Sequence, residues 1–269
     1  MKVPFFVAIC LLFVFASCSE YQRVLRKDDV AKKYAMADSL YRLGKYKKSL
    51  KLMEQIVPAY RGKPQAERLM FIYANTYYEL EDFYLAGYQF ERFTQAYPQS
   101  DSAEVAAFKS AKSFYELSPR YSLDQKETDK GLEKLQEFIN QYPNSAKRPH
   151  ANELVAELRY KLEKKQFEVA KQYLRVEDYK AAIEAFDNFI LDNPGSEFRA
   201  EAFFRRFESA YELAIVSIPS LVQERLLTAK GYYNNFTKYY KDTEFAAEAE
   251  KIMQDINART VTTETEPTT

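Results

Sequence analysis

Few residues in this chain could carry covalent or metal chemistry, and their types and spacing remove most of the options. Cys10 and Cys18 are its two cysteines and His150 its only histidine. A Cys/His zinc site lacks ligands, and a Ser-His-Asp or Cys-His arrangement would depend on that single imidazole. His150 follows Pro149 at the start of a polar-faced helical stretch with no nucleophile motif beside it, the setting of a solvated side chain. Gly44, Gly62, Gly87, Gly131, Gly195 and Gly231 stand far apart, so neither a dinucleotide loop nor a phosphate loop is present. Carboxylates are dispersed among lysines, as in Glu163-Lys164-Lys165 and Glu248-Ala249-Glu250-Lys251, which is how solvated helix faces read. No catalytic residue, metal ligand or cofactor is expected.

One thiol has a different chemistry written around it. After Met1-Lys2 the chain is uncharged from Val3 through Ser19, with Phe5, Phe6, Val7, Ile9, Leu11, Leu12, Phe13, Val14 and Phe15 as an apolar core. A membrane span needs about 20 apolar residues, and this run is shorter and ends in small ones, so residues 1–17 read as an export signal peptide. Phe15-Ala16-Ser17-Cys18 resembles the bacterial lipobox, in which small residues admit the signal peptidase and the cysteine takes a diacylglyceryl group. Phe15 departs from the Leu usual there, and ordinary cleavage beside an incidental cysteine is the alternative. The resemblance implies lipid attachment at Cys18. Each buried methylene contributes only about 0.8 kcal/mol, but the several acyl chains of a lipoprotein cysteine make attachment effectively permanent. Ser19, where Asp commonly signals inner-membrane retention, implies the outer membrane. A single acid, Glu20, follows the cysteine and not the acidic cluster that resembles the surface-export signals of some lineages, which implies a body on the periplasmic face.

Without residues 1–17 the chain keeps 38 Lys+Arg against 39 Asp+Glu, so a basic footprint for nucleic acid is absent. Cys10 leaves with the signal and Cys18 is consumed by lipid, so no disulfide forms within one chain. Packing alone must hold the fold, and about 250 residues suffice for that.

The packing elements are legible as repeats. Phe93-x3-Tyr97-Pro98-x-Ser100, Phe138-x3-Tyr142-Pro143-x-Ser145 and Phe189-x3-Asn193-Pro194-x-Ser196 are one phrase three times; Phe236-x3-Tyr240 and Ile56-x3-Tyr60 are degenerate copies. The steps from Tyr60 through Tyr97, Tyr142 and Asn193 to Tyr240 are 37, 45, 51 and 47 residues, near the period of paired-helix repeats. Proline stops the preceding helix and biases the residue before it away from the α region; the serine can then cap the next helix. Upstream, Leu43-Gly44-Lys45-Tyr46, Leu80-Glu81-Asp82-Phe83 and Val176-Glu177-Asp178-Tyr179 read as tight turns resembling those inside a tetratricopeptide (TPR) hairpin. Ala86, Phe90 and Phe93 match Ala182, Phe186 and Phe189, a 4-then-3 spacing that lines one helix face.

The expected fold is all-α: a TPR-like helical-hairpin solenoid of five repeats with a C-terminal capping helix. Its parts are the signal peptide (1–17), a lipid-anchor linker (18–29), repeats one to three (30–145), repeats four and five plus the cap (146–258) and a disordered threonine-rich tail (259–269). A long helix is expected from about Ala146 to Val176, with Val155, Leu162, Val169 and Val176 as a heptad stripe kept in contact with flanking helices. It serves either as a stiff strut between two halves or as filler beside an inserted loop.

Tyr77, Phe90, Phe93, Tyr173, Phe186 and Phe189 are expected to pack between helices. Aromatic pairs such as Tyr77-Tyr78, Tyr232-Tyr233 and Tyr239-Tyr240 cannot both face inward, so some aromatic surface should line a groove. Repeat three inserts an extra loop, residues 118–125, carrying Tyr121, and inserted loops in solenoids often serve binding. Tyr73, Tyr78, Phe108 and Tyr121 are the candidate peptide-binding residues.

A lipoprotein signal followed by five such repeats resembles the BamD family, lipoprotein D of the outer-membrane β-barrel assembly machinery. The most specific stretch is Leu158-x3-Leu162-x4-Phe167-x-Val169-Ala170-x2-Tyr173, running into Asp178-Tyr179-x-Ala181-Ala182. The likeness covers about residues 30–258. It implies a non-enzymatic scaffold that binds unfolded outer-membrane protein precursors and docks on the periplasmic domains of a BamA-like barrel-forming insertase. The family's contact positions have no clear identical counterparts here. Another periplasmic TPR lipoprotein, such as a cell-division coordinator resembling CpoB, is the alternative, although that family carries an amino-terminal coiled coil and only residues 19–27 precede the first repeat here. A carbohydrate-handling enzyme would need paired carboxylates converging in a cleft, which paired-helix solenoids seldom offer.

Overall fold

The structure, a computed structural model, describes residues 20–264, with side chains through residue 260. The expected signal peptide (1–17), Cys18, Ser19 and residues 265–269 lie outside them. Among the described residues there is no strand. Residues 20–26 form α1. The others are α2 (Val30–Arg42), α3 (Tyr46–Tyr60), α4 (Ala66–Glu79), α5 (Phe83–Ala96), α6 (Ala103–Glu116), α7 (Lys126–Gln141), α8 (Arg148–Arg175), α9 (Tyr179–Asp192), α10 (Arg199–Ile215), α11 (Pro219–Tyr240) and α12 (Ala246–Glu264). The expected all-α hairpin array is what forms.

The chain divides into two compact units. The first holds the residues up to Pro119 together with Gln125–Leu158, and the second holds Arg120–Asp124 and everything from Arg159 on.

The recurrent phrase acts as the proline argument requires. Tyr97, Tyr142 and Asn193, each directly before a proline, cap the ends of α5, α7 and α9 at φ/ψ of −133/62, −124/66 and −122/66 degrees. That shared conformation lies outside the α region, from which proline biases its predecessor, with ψ short of the fully extended range. The phrase serines work differently from the expected cap. Ser100 and Ser145 accept from the backbone N–H two residues on, at 3.1 and 3.0 Å, bending the chain before the helix starts. Their hydroxyls donate to Glu67 and Glu104 in the first turn of the preceding hairpin, each at 2.6 Å, so this serine ties one repeat to the next. The aliphatic or aromatic residue opening the phrase is core in all five copies: Ile56, Phe93, Phe138, Phe189 and Phe236 are at most 2% exposed.

The turns within hairpins share one geometry. Gly44, Glu81 and Glu177 sit at φ of 68, 60 and 62 degrees, in the left-handed region. The next residue's N–H reaches back to Leu40, Tyr77 and Tyr173 carbonyls at 2.9, 3.0 and 3.0 Å, closing the helix end as a Schellman-type cap. Asp82 and Asp178 then accept from Leu85 and Ala181 N–H, both at 3.2 Å, and open the following helix. Helix stop and start are compressed into adjacent residues.

In the first unit the core follows the hairpins: Leu52, Met53, Ile56 and Leu69 around α3, Ala74, Phe90 and Phe93 between α4 and α5, then Phe108, Leu135, Phe138 and Leu154. In the second unit one cluster runs from Phe167 through Phe186, Phe189, Phe204 and Phe207 to Phe236 and Ile256. There α12 closes the array: Phe245 stacks on Phe204 at 5.3 Å, and Tyr211 donates to Asp255 at 2.7 Å.

Four details differ from the sequence reading. Residues 20–26, read as linker, are helical and buried through Tyr21, whose hydroxyl donates to the Lys48 carbonyl at 3.2 Å. A seven-residue helix is too short to stand alone, so this packing holds it. The long helix spans 28 residues and not 31, because residues 146 and 147 are spent on the turn bonded to Ser145 and Val176 belongs to the closing turn. Its heptad stripe does not stay covered: Val155 is buried, but Val169, Val176 and the flanking Tyr173 are exposed, and the buried positions are Ala151, Leu154, Val155, Leu158 and then Phe167 and Ala170. A straight helix repeats every 3.6 residues, so a strict seven-residue stripe drifts off the buried face. Finally, α12 continues to Glu264, past residue 258, where the tail was expected to begin.

Candidate functional site

The first helices of the three hairpins in the first unit, α2, α4 and α6, share a ladder of side chains. Asn75 on α4 donates from Nδ2 to the Tyr41 hydroxyl on α2 at 2.6 Å and to Glu79 at 3.3 Å. Its Oδ1 accepts from Lys109 Nζ on α6. Lys109 also lies 3.8 Å from Glu79 and 4.6 Å above the Tyr78 ring. Burial pushes the Lys109 ammonium below the usual lysine range, with Glu79 pulling the other way. The Tyr41 hydroxyl is pushed up, chiefly by burial.

Beside the ladder, Tyr73 and Tyr77 share a hydroxyl–hydroxyl hydrogen bond of 2.9 Å, and their rings meet edge to face at 5.0 Å. Tyr77 is buried, and desolvation raises its hydroxyl far above the ordinary tyrosine value, with the Tyr73 bond adding to the rise. Tyr73 and Tyr78 are both half-buried on α4, five residues and so about 140° apart around the helix. Tyr78 meets Phe83 edge to face at 5.5 Å, at the start of α5. From there α5 presents Tyr84, Leu85 and Tyr88 to solvent, with the two tyrosine rings 4.9 Å apart. Part of the aromatic surplus thus emerges as surface on α4 and α5, where Tyr84 and Tyr88, absent from the sequence candidates, are the most exposed rings; in the second unit Tyr160, Tyr173 and Tyr239 are exposed as well.

Phe108 is placed elsewhere. It is 8% exposed, packed on Phe138 at 5.2 Å and His150 at 5.7 Å, and belongs to the core under α6 and α7. Tyr121 belongs to the second unit, where Lys164 of α8 lies 5.0 Å above its ring and Lys165 donates to the Leu123 carbonyl at 2.5 Å. The inserted loop is therefore fastened to α8 within that unit. His150 is half exposed and 3.1 Å from Glu153, on the surface of its helix. Among the described residues no group of three or more His, Cys, Asp or Glu side chains could hold a metal, and no helix is long and apolar enough to cross a membrane.

The ladder residues carry a second period in the sequence, beside that of the helix-end phrase. Tyr41, Asn75 and Lys109 are 34 residues apart, the TPR period, because the first helices keep that spacing while insertions fall elsewhere.

Fold and surface together define a paired-helix repeat protein with polar and aromatic side chains displayed along successive hairpins. Comparison with known families places the chain in one: it belongs to the YfiO family of outer membrane lipoproteins, the family that contains BamD, whose model matches residues 26–218 and again 163–266. The overlap of the two matches is what a chain of similar repeats allows. Comparison with curated proteins finds no match.

Proposed function

We propose that this protein is a non-enzymatic component of an outer-membrane β-barrel assembly machinery, anchored through lipid on Cys18 at the periplasmic face, that holds unfolded barrel precursors and docks on a BamA-like insertase. Membership of the outer membrane lipoprotein family, over most of a chain built as helical hairpins, is the observation that carries it. The α4 and α5 surface suits the proposed client. Barrel strands alternate apolar and polar residues, so an extended segment lays every second side chain on a row of rings. Tyr73, Tyr78, Tyr84 and Tyr88 supply rings on these two helices.

The experiment is purification of the chain from detergent-solubilised outer membrane. Co-purification of a large barrel protein with repeated periplasmic domains is the expected result; recovery of cell-division proteins in its place overturns the reading. Metabolic labelling with a fatty-acid analogue checks the anchor: label is expected on the natural chain and absent from Cys18→Ala.

A further inference from the structure

The chain's charge balance hides a segregation. Residues 20–51 hold ten Lys and Arg against four Asp and Glu, whereas beyond residue 51 acids outnumber bases by 35 to 28. The basic excess lies on α1, α2 and the start of α3, in the first hairpin.

The structure gathers part of it around two grooves of the first unit. One, of about 530 Å³, runs between α1, α2 and α3; Lys32, Lys45 and Lys48 line it with Tyr21, Val24 and Met36, and Glu20 is its only carboxylate. The second, of about 450 Å³, is lined by Gly44, Lys45, Tyr46, Lys47, Lys48 and Leu80, with no carboxylate. The grooves share Lys45 and Lys48. Neither ammonium has a carboxylate partner among the ion pairs of this hairpin, where Lys32 faces Asp29 at 3.3 Å and Arg42 faces Asp38 at 2.9 Å. Between Arg42 and Lys45, the turn holds Leu43 out at 64% exposure on the left-handed Gly44. An exposed apolar tip flanked by long cationic side chains is the composition of a membrane-interface contact, where aliphatic stems lie in the headgroup layer and charges meet phosphate.

We propose that this basic end of the first hairpin is a second membrane contact, which seats on anionic phospholipid headgroups. The inference rests on the lipid-anchor reading for its geometry only. Glu20, at the mouth of the larger groove, is two residues from Cys18, at most about 7 Å of extended chain, so a lipid on that cysteine holds the lysines at the headgroup layer. Each basic side chain at an anionic surface adds an increment that salt screens. The contact would fix which end of the scaffold lies on the bilayer.

The test uses the mature full-length chain with Cys18→Ala, which has no acyl group, so it is independent of the anchor. Co-sedimentation is measured with vesicles of phosphatidylcholine alone and of phosphatidylcholine mixed with phosphatidylglycerol. The expected result is binding to the anionic vesicles only, weakened as salt is raised. Replacing Lys32, Lys45 and Lys48 together by Gln should lower partitioning on the order of a hundredfold. Replacing Lys180, Lys230 and Lys251 by Gln should leave it unchanged. All variants are checked for an unaltered helical melting curve. Equal binding to both vesicle types, no binding to either, or equal loss in both triple variants overturns the proposal. Fatty-acid labelling of the natural chain, read separately, shows whether the anchor stands in that event.

Discussion

Asn75 and Lys109, thirty-four residues apart on α4 and α6, are joined by a hydrogen bond from the lysine ammonium to the amide oxygen. Asn75 is buried and bonds in both directions, so it couples three consecutive hairpins through one side chain. Its oxygen is occupied by Lys109 and its amide protons by Tyr41 and Glu79, an arrangement no apolar residue reproduces.

Asn75→Ala is accordingly expected to destabilise the chain by about 1–3 kcal/mol, since it leaves a half-buried ammonium and a phenol hydroxyl without their partner. Urea denaturation with the midpoint and slope fitted separately measures this. A midpoint within error of the natural chain would show that water replaces the amide without cost.

Gly87 on α5 faces the Phe114 ring of α6, and a Cβ built there would stand 2.9 Å from Cε2 of that ring. Ser110 donates to the Gly87 carbonyl at 3.0 Å, so the two helices are held in register where they touch. Gly87→Ala should cost about 1–3 kcal/mol through overpacking. Combined with Phe114→Leu, it should cost less than the sum of the two single changes, because the smaller side chain makes room for the methyl. Thermal melts of the four chains complete the cycle; strict additivity would refute the contact.

What the sequence disclosed and what it withheld divide along a physical line. Proline before serine, alanine opposite phenylalanine and the tight turns are local rules, and the five buried phrase residues and the common φ at positions 44, 81 and 177 follow from them. The fate of Tyr173, Val169 and Phe108 depends on which neighbours cover each helix face, and amphipathic spacing cannot distinguish a face covered along its length from one covered only in part. Phe108 read as surface and is core; Tyr173 read as core and is exposed. Tyr84 and Tyr88 cannot be told from packing residues by sequence, because two aromatics four residues apart share one helix face whether or not a neighbour covers it. The 34-residue ladder is present in the sequence, but the steps between phrase tyrosines do not show it, since loops of unequal length separate the helix ends.

The left-handed turns give a stabilising change. Glu81 and Glu177 occupy the conformation that Gly44 occupies at the equivalent turn, and a residue with a Cβ is held there at a cost of roughly 1 kcal/mol. Glycine also gives up more freedom on folding, which offsets part of the gain. Glu81→Gly and Glu177→Gly should each be neutral to about 1 kcal/mol stabilising, and Gly44→Ala destabilising by a similar amount, all read from melting temperatures. A loss on Glu177→Gly comparable to that on Gly44→Ala would mean that the glutamate makes a contact that outweighs its backbone strain.

Alkaline pH should unfold this protein through its tyrosines. Tyr115 is pushed up to about 12 by burial and its bond to Glu157, Tyr211 to about 12 by burial and its bond to Asp255, and Tyr233 to about 12 by its bond to Glu250 and by burial. In each case the hydroxyl donates to a carboxylate, and ionisation would set two negative charges against each other. The folded value lies above the unfolded value of about 10, so the folded chain retains protons that the unfolded chain has lost. The stability these groups contribute is therefore complete below pH of about 10 and is lost as pH rises from there toward 12. Lys109 acts in the opposite sense: its folded value is depressed, so stability increases between that value and the unfolded lysine value of about 10.4, but it is one group against these three and against Tyr41 and Tyr77, whose hydroxyls are raised as well. Melting temperature should stay level near pH 8 and fall steeply above pH of about 10, and Tyr211→Phe with Tyr233→Phe should flatten that fall while lowering stability at neutral pH through the lost hydrogen bonds. Circular-dichroism melts across this range, with tyrosinate absorbance followed in parallel, decide the matter. An unchanged slope in the double variant would place the alkaline transition elsewhere.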